Sequence, residues 1–220
     1  YEVMPSLVGS EMCIRDRFWR VVPLSATTQA AFQAYHTLWT APWLVDVAGF
    51  QPAAVPGAML AILLGIIPGY LLSGTVTDLL SARGIGKEKI FASYTGVFIL
   101  LQVWIALFPP TGLPAVAIWI AYVVLGTGSM IGYLILTPRF TKDLAGRVNA
   151  AVNLVVFLTA FVVQASIGHA LSAFAGGFGF DRAQAHGATI VAIAAVEGLA
   201  WLWFMTGRAR VATVAEPTRR

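Results

Sequence analysis

The sequence predicts an all-α fold, a polytopic bundle of six transmembrane helices, from its composition and from the spacing of its charges. Hydrophobic residues make up 58% of the 220 residues and charged residues only 11%, whereas about a quarter of the residues in a typical soluble domain are charged. A membrane helix needs about 20 predominantly apolar residues, and uncharged runs of that length recur along the chain. A soluble domain could not bury so much apolar surface.

The uncharged runs place the six crossings. Residues 90–138 contain no Asp, Glu, Lys or Arg and are too long for one crossing. Pro109, Pro110 and Pro114 divide that run, because proline lacks an amide donor and clashes with the preceding helical turn. The predicted six-helix domain covers 18–208, followed by a cytoplasmic tail over 209–220. Its crossings are 19–40, 53–76, 90–108, 114–137, 147–175 and 185–207.

Residues 1–17 are interpreted as a non-native leader. The segment from Ser6 to Arg17 looks like a translated sequencing-adaptor read joined to a coding frame, so we exclude it from the fold prediction. The alternative is an ordinary cytoplasmic linker, for which Arg15 and Arg17 would be suitable. The leader holds Cys13, the single cysteine, so neither an internal disulfide nor a Cys-rich metal site is expected.

The basic residues predict the orientation. With alternating crossings, 14 Lys and Arg residues sort so that only Arg182 lies opposite the rest. Basic residues near crossing ends are retained in the cytoplasm, so both termini are expected there. These residues account for the net charge of +4 and favour anionic lipid headgroups; no basic cluster indicates nucleic acid. Trp39, Trp43, Trp104 and Trp119 lie near predicted outer ends, as is typical of rings at headgroup level.

Three segments, 38–49, 74–84 and 146–168, occur in the order found in the carboxy-terminal half of major facilitator superfamily permeases. The first resembles the end of the seventh helix and its outer loop, and the third resembles the eleventh helix. The second resembles the family's cytoplasmic loop motif, with Gly74-x-x-x-Asp78 followed by Arg83-Gly84. In the family a basic residue directly follows the aspartate, whereas this sequence has Leu79 there.

The resemblance implies an alternating-access carrier of two six-helix halves in the bacterial cytoplasmic (inner) membrane. It implies a small-molecule substrate near the bilayer midplane, no cofactor, and a partner amino-terminal half outside this sequence. In the loop motif, Gly74 is expected to permit close helix approach, Asp78 to accept from a helix amino end, and Arg83 to latch one state across the Gly84 turn. The alternative is simple solvation of the loop.

Polar residues within the crossings are candidates for the transport path, because they are costly unless they face a partner or water. Gln29 and Gln33 share one face of the first crossing, and Tyr35 lies beside them. On the fifth crossing, Asn149, Asn153 and Gln164 return to nearly the same face at about 3.6 residues per turn. For both groups the alternative is hydrogen bonding between helices.

Glu197 is the only acidic residue deep within a crossing. It is a candidate for proton coupling, and the alternative is pairing with a neighbouring helix.

The sequence predicts a secondary transporter of a small solute, a hydrophilic metabolite or organic anion. An enzyme is not expected, because His36, His169 and His186 are scattered and have no ligand-spaced acids. Two alternatives remain: a proton-coupled exporter of amphipathic compounds, and a non-transporting membrane sensor or scaffold.

Overall fold

The computed structural model describes residues 4–139 and 142–212, with side chains for 18–138 and 145–206. These residues form helices and contain no β-strand, so the all-α prediction is confirmed for the described part of the chain. The side chains of the 1–17 leader and most of the 209–220 tail lie outside the described residues.

Nine α-helices occur in the described residues, joined in places by a π-helical segment or 3₁₀ turns. The π segment, Tyr35–Trp39, lies between α1 and α2 without interrupting the helical stretch. The α-helices are α1 (Met4–Ala34), α2 (Thr40–Asp46), α3 (Val55–Leu64), α4 (Ile66–Ala82), α5 (Lys87–Leu107), α6 (Leu113–Gly126), α7 (Ile131–Leu136), α8 (Lys142–Gly177) and α9 (Arg182–Ala212).

Five helical stretches in the described chain are long and apolar enough to cross a membrane. They overlap the second to sixth predicted crossings and are Pro52–Ala82, Lys87–Leu107, Leu113–Leu136, Ala145–Gly177 and Arg182–Thr206. The first predicted crossing, within α1 and the π segment, is helical but is not among the five. Its length is sufficient, but Gln29, Gln33 and His36 lower its mean hydropathy.

Helix α1 lies inside the bundle and packs most extensively against α8 and then α9. Ala30, Ala31 and Ala34 have no exposed surface, and side chains of this size let neighbouring helices approach closely. Thr28 Oγ1 donates to the Leu24 carbonyl at 2.7 Å, so its hydroxyl is satisfied within its own helix. The least apolar of the long helical stretches is therefore placed among other helices.

The second helical stretch is interrupted at Gly65, between α3 and α4. Pro68 lacks the amide hydrogen that would bond the Leu64 carbonyl, and its ring clashes with that carbonyl in a regular helix. The interruption is a consequence of that proline.

Gly65 and Gly69 bring this stretch close to α6. A Cβ on Gly65 would lie 3.1 Å from Val123 Cγ2, and one on Gly69 would lie 2.9 Å from Thr127 Cγ2 and 3.0 Å from Val124 Cα. Both positions depend on the absence of a side chain.

Aromatic rings fill one of the two hydrophobic clusters. Trp119 lies at the centre, with ring centroids 4.8 Å from Tyr122, 5.3 Å from Trp43 and 5.5 Å from Tyr35. Trp43 and Trp119 are each 1% exposed, so their rings contact other side chains of the bundle and not lipid headgroups. Their rings pack in tilted and edge-to-face arrangements that stabilise a core.

The second cluster lies towards the other end of the bundle. Phe91 and Phe204 pack edge to face at 5.5 Å, together with Val21, Ile131 and other buried aliphatic side chains. The two clusters hold α1, α5 and α9 together along their length.

We expect Gly69→Ala to lower the free energy of unfolding by about 1 to 3 kcal/mol, because the added methyl would overlap Thr127 and the α6 backbone. Gly74→Ala is the matched control on the same helix, since a Cβ at Gly74 meets nothing within 4 Å. Unfolding of the purified protein in detergent measures both. Equal stability of the two variants would contradict the close approach.

Candidate functional site

Three hydrogen-bonded pairs run along one side of the bundle, where the π segment and the α6–α7 stretch meet α8. We call these pairs the polar seam: Thr37–Gln164, Tyr133–Asn153 and Thr137–Asn149. Thr37 and Asn153 are exposed and the other four side chains are partly exposed. The seam therefore lies at a surface of the bundle and not in its core.

At one end of the seam, Gln164 links α8 to the π segment. Gln164 Nε2 donates to Thr37 Oγ1 at 3.2 Å, and Trp39 Nε1 donates to the Gln164 carbonyl at 3.2 Å. A Cβ on Gly168 would lie 3.3 Å from the Trp39 ring, so the indole packs closely on α8. Two residues of the π segment thus hold one turn of α8.

Towards the other end, two hydroxyl groups donate to the asparagines of α8. Tyr133 Oη donates to Asn153 Oδ1 at 2.6 Å, and Thr137 Oγ1 donates to Asn149 Oδ1 at 2.9 Å. The structure therefore brings Asn149, Asn153 and Gln164 to one line of contacts on α8, and it gives each of them a partner on another segment.

The two glutamines of α1 differ in their surroundings. Gln29 is 7% exposed, its Nε2 lies 3.9 Å from Met130 Sδ, and its Oε1 has no hydrogen-bond partner. Gln33 is partly exposed, and its side chain makes no hydrogen bond within the described residues. His36 stacks on Phe32 at 4.4 Å, with Nδ1 2.7 Å from the Phe32 carbonyl oxygen.

Tyr35 faces away from the seam. It is 1% exposed, packs in the aromatic cluster against Trp119 and Tyr122, and its hydroxyl has no partner. The structure does not bring it together with Gln33 as one binding surface. Consecutive residues of a helix project about 100° apart, and this angle places Tyr35 on the buried side.

The seam offers neutral hydrogen-bonding groups without fixed charge. Amides and hydroxyls can both donate and accept, so they suit a solute that carries hydroxyl or carboxylate oxygens. The described residues contain no group of three or more His, Cys, Asp or Glu that could hold a metal ion.

Glu197 lies in the core between α9 and α5. It is 1% exposed and accepts a hydrogen bond from Gln102 Nε2. Pairing with a neighbouring helix, the alternative considered for this residue, is therefore observed, and the sequence carried no signal that Gln102 would be the partner.

The loop motif has only part of the predicted geometry. No neighbouring atom lies within 4 Å of a Cβ built on Gly74, so within the described chain no helix approaches it closely. Asp78 and Arg83 are exposed, and neither makes an ion pair with a described residue. Gly84 adopts φ +82° and ends α4: the Ile85 amide bonds the Leu80 carbonyl at 3.0 Å, as in a Schellman cap.

An ion cluster at the α2 end of the bundle was missed by the sequence reasoning. Arg182 Nη1 lies 3.2 Å from Asp46 Oδ1, and His186 Nε2 lies 3.3 Å from Asp46 Oδ2. The cluster borders a cavity of about 320 Å³ shared with Trp39 and Ser172. Arg182 is the single basic residue that the charge pattern assigns to the predicted outer side, and this isolation was the available signal for a carboxylate partner.

Comparisons with known proteins leave the family resemblance untested. No protein-family model matches the chain, and no curated protein matches it.

We expect Asp46→Ala to lower the free energy of unfolding by about 1 to 3 kcal/mol, because it leaves the imidazole of His186, which is 2% exposed, without its Nε2 partner. Arg182→Ala is the matched control, since the Arg182 side chain is 78% exposed and an exposed ion pair contributes below about 1 kcal/mol. Denaturant unfolding in detergent measures both. A larger effect of Arg182→Ala would contradict the assignment of His186 as the dominant partner.

Proposed function

We propose that the chain is one six-helix half of a secondary transporter that moves a small hydrophilic solute across a membrane by alternating access. The observation that carries the proposal is the polar seam, a line of neutral hydrogen-bonding groups on the surface of an otherwise apolar bundle. Polar groups at membrane depth are costly unless they face a partner or a watery cavity. A seam at the surface fits a cavity wall.

The chemistry of the seam favours a hydrophilic metabolite or an organic anion as the solute. Gln33 adds an amide that is partly exposed and unpartnered, and the Trp39 indole adds an apolar face at one end. Hydroxyl and carboxylate oxygens of a solute would exchange hydrogen bonds with these groups, and no fixed positive charge is required.

The resemblance to major facilitator permeases supports the same proposal. It implies a partner six-helix half, which would face the seam. The uncharged run over 21–45 supports a sixth crossing formed by α1 and the π segment, and the distribution of basic residues supports both termini in the cytoplasm of a bacterial cell. A helix buried among its neighbours can cross a membrane with a lower mean hydropathy than one that faces lipid. The composition of α1 is therefore compatible with a sixth crossing.

A binding assay on the full chain tests the proposal. The purified protein in lipid nanodiscs is titrated with labelled lactate, succinate and glucose, and with ethidium as an amphipathic cation. We expect one of the three hydrophilic probes to bind. Gln33→Leu should weaken that binding by about threefold to tenfold, because one hydrogen bond contributes about 0.5 to 1.5 kcal/mol.

Thr159→Val is the matched control. Thr159 lies on α8 between Asn153 and Gln164, but its hydroxyl donates to the Val155 carbonyl of its own helix at 2.7 Å. This variant should bind as tightly as the parent chain. Binding of ethidium alone would favour the amphiphile exporter, and binding of no probe would favour the sensor or scaffold.

A further inference from the structure

The contact between Glu197 and Gln102 is a buried polar pair with two unsatisfied oxygens. Each residue is 1% exposed. Gln102 Nε2 donates to Glu197 Oε2, while Glu197 Oε1 and Gln102 Oε1 have no hydrogen-bond partner. Both free atoms are acceptors when the glutamate is ionised, so the pair lacks one donor.

The helices hold this pair tightly on both sides. Trp201 Nε1 donates to the Ala92 carbonyl at 2.8 Å, and a Cβ on Gly187 would lie 3.1 Å from the Ala106 carbonyl oxygen. These contacts join α9 to α5 on either side of Glu197. The carboxyl group is therefore out of direct contact with water.

No described cation pairs with Glu197. Arg20 on α1 donates to the Phe204 carbonyl at 3.4 Å, about two helical turns from Glu197. Asp46 on α2 contacts His186, about three turns away in the other direction, and His169 on α8 is exposed. A buried carboxylate without a cation is costly, and a proton removes that cost.

Two phenols pack on the face of α5 that carries Gln102. The Tyr122 ring of α6 lies 4.9 Å from the ring of Phe98, one helical turn before Gln102, and the Tyr35 ring of the π segment lies 6.0 Å from Tyr122. Tyr122 Oη already donates to the Ala31 carbonyl at 2.9 Å, whereas the Tyr35 hydroxyl is unpartnered. Of these two phenols, only Tyr35 therefore has a hydroxyl that can form a new hydrogen bond when the pair rearranges.

The π segment contacts the aromatic cluster on one side and the polar seam on the other. Tyr35 lies on the buried side, packed against Tyr122, while Thr37 and Trp39 bind Gln164 at the polar seam. π-Helical turns are less regular than α-helix and are frequent at functional sites. A change of protonation at Glu197 that moves Tyr35 would therefore also move Thr37 and Trp39, because all three lie on this segment of five residues.

We propose that Glu197 is a proton-binding site that carries a proton in the folded bundle, and that the π segment links its protonation to the Thr37–Gln164 contact. A proton from water forms the O–H bond of the carboxylic acid and supplies the missing donor, and its release restores the carboxylate. The link to the Thr37–Gln164 contact rests on the proposed function, because it makes the proton the coupling ion of the transporter. The proton site at Glu197 does not depend on the proposed function.

Infrared spectroscopy of the full chain in nanodiscs tests the proton site. At neutral pH we expect a carbonyl band of a protonated carboxyl group that shifts in deuterated water and is lost in Glu197→Gln. Asp181→Asn is the control, because Asp181 is exposed and caps the Gln184 amide at 2.7 Å; this variant should keep the band. Absence of the band from the parent chain, or its persistence in Glu197→Gln, would overturn the site.

A second variant keeps the test decisive if Glu197→Gln does not fold. Gln102→Met removes the amide partner and retains the acid, so it should shift the band towards that of a carboxyl group without hydrogen bonds. An unshifted band would overturn the pairing of the acid with Gln102.

Hydrogen exchange tests the link to the seam without any solute. After correction for the intrinsic effect of pH, amides of residues 35–39 should exchange faster in the parent chain when pH is raised until the carboxyl band disappears. The same amides in Glu197→Gln should show no such change. If the corrected exchange rates of these amides in the parent chain did not change with pH, the link would be overturned. Failure of every solute to bind would count only against the proposed function.

Discussion

This arrangement of helices depends on one constraint: a polar side chain that is held away from water needs a hydrogen-bond partner. An unpaired polar group in an apolar medium costs free energy comparable to a lost hydrogen bond or more. Threonines of α1 satisfy this constraint within their own helix, and the asparagines of α8 satisfy it through Tyr133 and Thr137. The constraint is left unmet at Tyr35 and at the Glu197–Gln102 pair, whose buried polar atoms have no hydrogen-bond partner, and a proton at the pair would supply the missing donor.

The polar side chains of the seam can hold helices together and also bind a solute, so these two interpretations do not exclude each other. Its amides already hold helices together, so a solute would replace existing hydrogen bonds and add few new ones. The net gain from each replacement is small, because bonds are exchanged and not created. Moderate affinity suits a carrier, which must release its solute on the second side of the membrane.

Parts of this architecture follow directly from the sequence. Uncharged runs bounded by charged residues and prolines locate five helices long enough to cross a membrane, and helical periodicity puts Asn149, Asn153 and Gln164 on one line of α8. Partners between segments were beyond prediction, because Gln102 and Glu197, or Asp46 and His186, are distant in sequence and nothing local encodes their proximity. The burial of Trp43 and Trp119 was missed because position near a helix end does not distinguish a ring that faces lipid from one that packs inside the bundle. No residue pattern known to us marks the π segment, whose extra residue per turn is set by packing.

The composition of α1 has a consequence for how a cell would assemble this protein. A segment of low mean hydropathy partitions weakly into lipid by itself, and α1 is synthesised before the described helices that surround it. Its principal neighbours, α8 and α9, are made after α2 to α7. Stable integration of α1 would therefore wait for α8 and α9, and a chain interrupted before α8 would leave α1 without the helices that cover it.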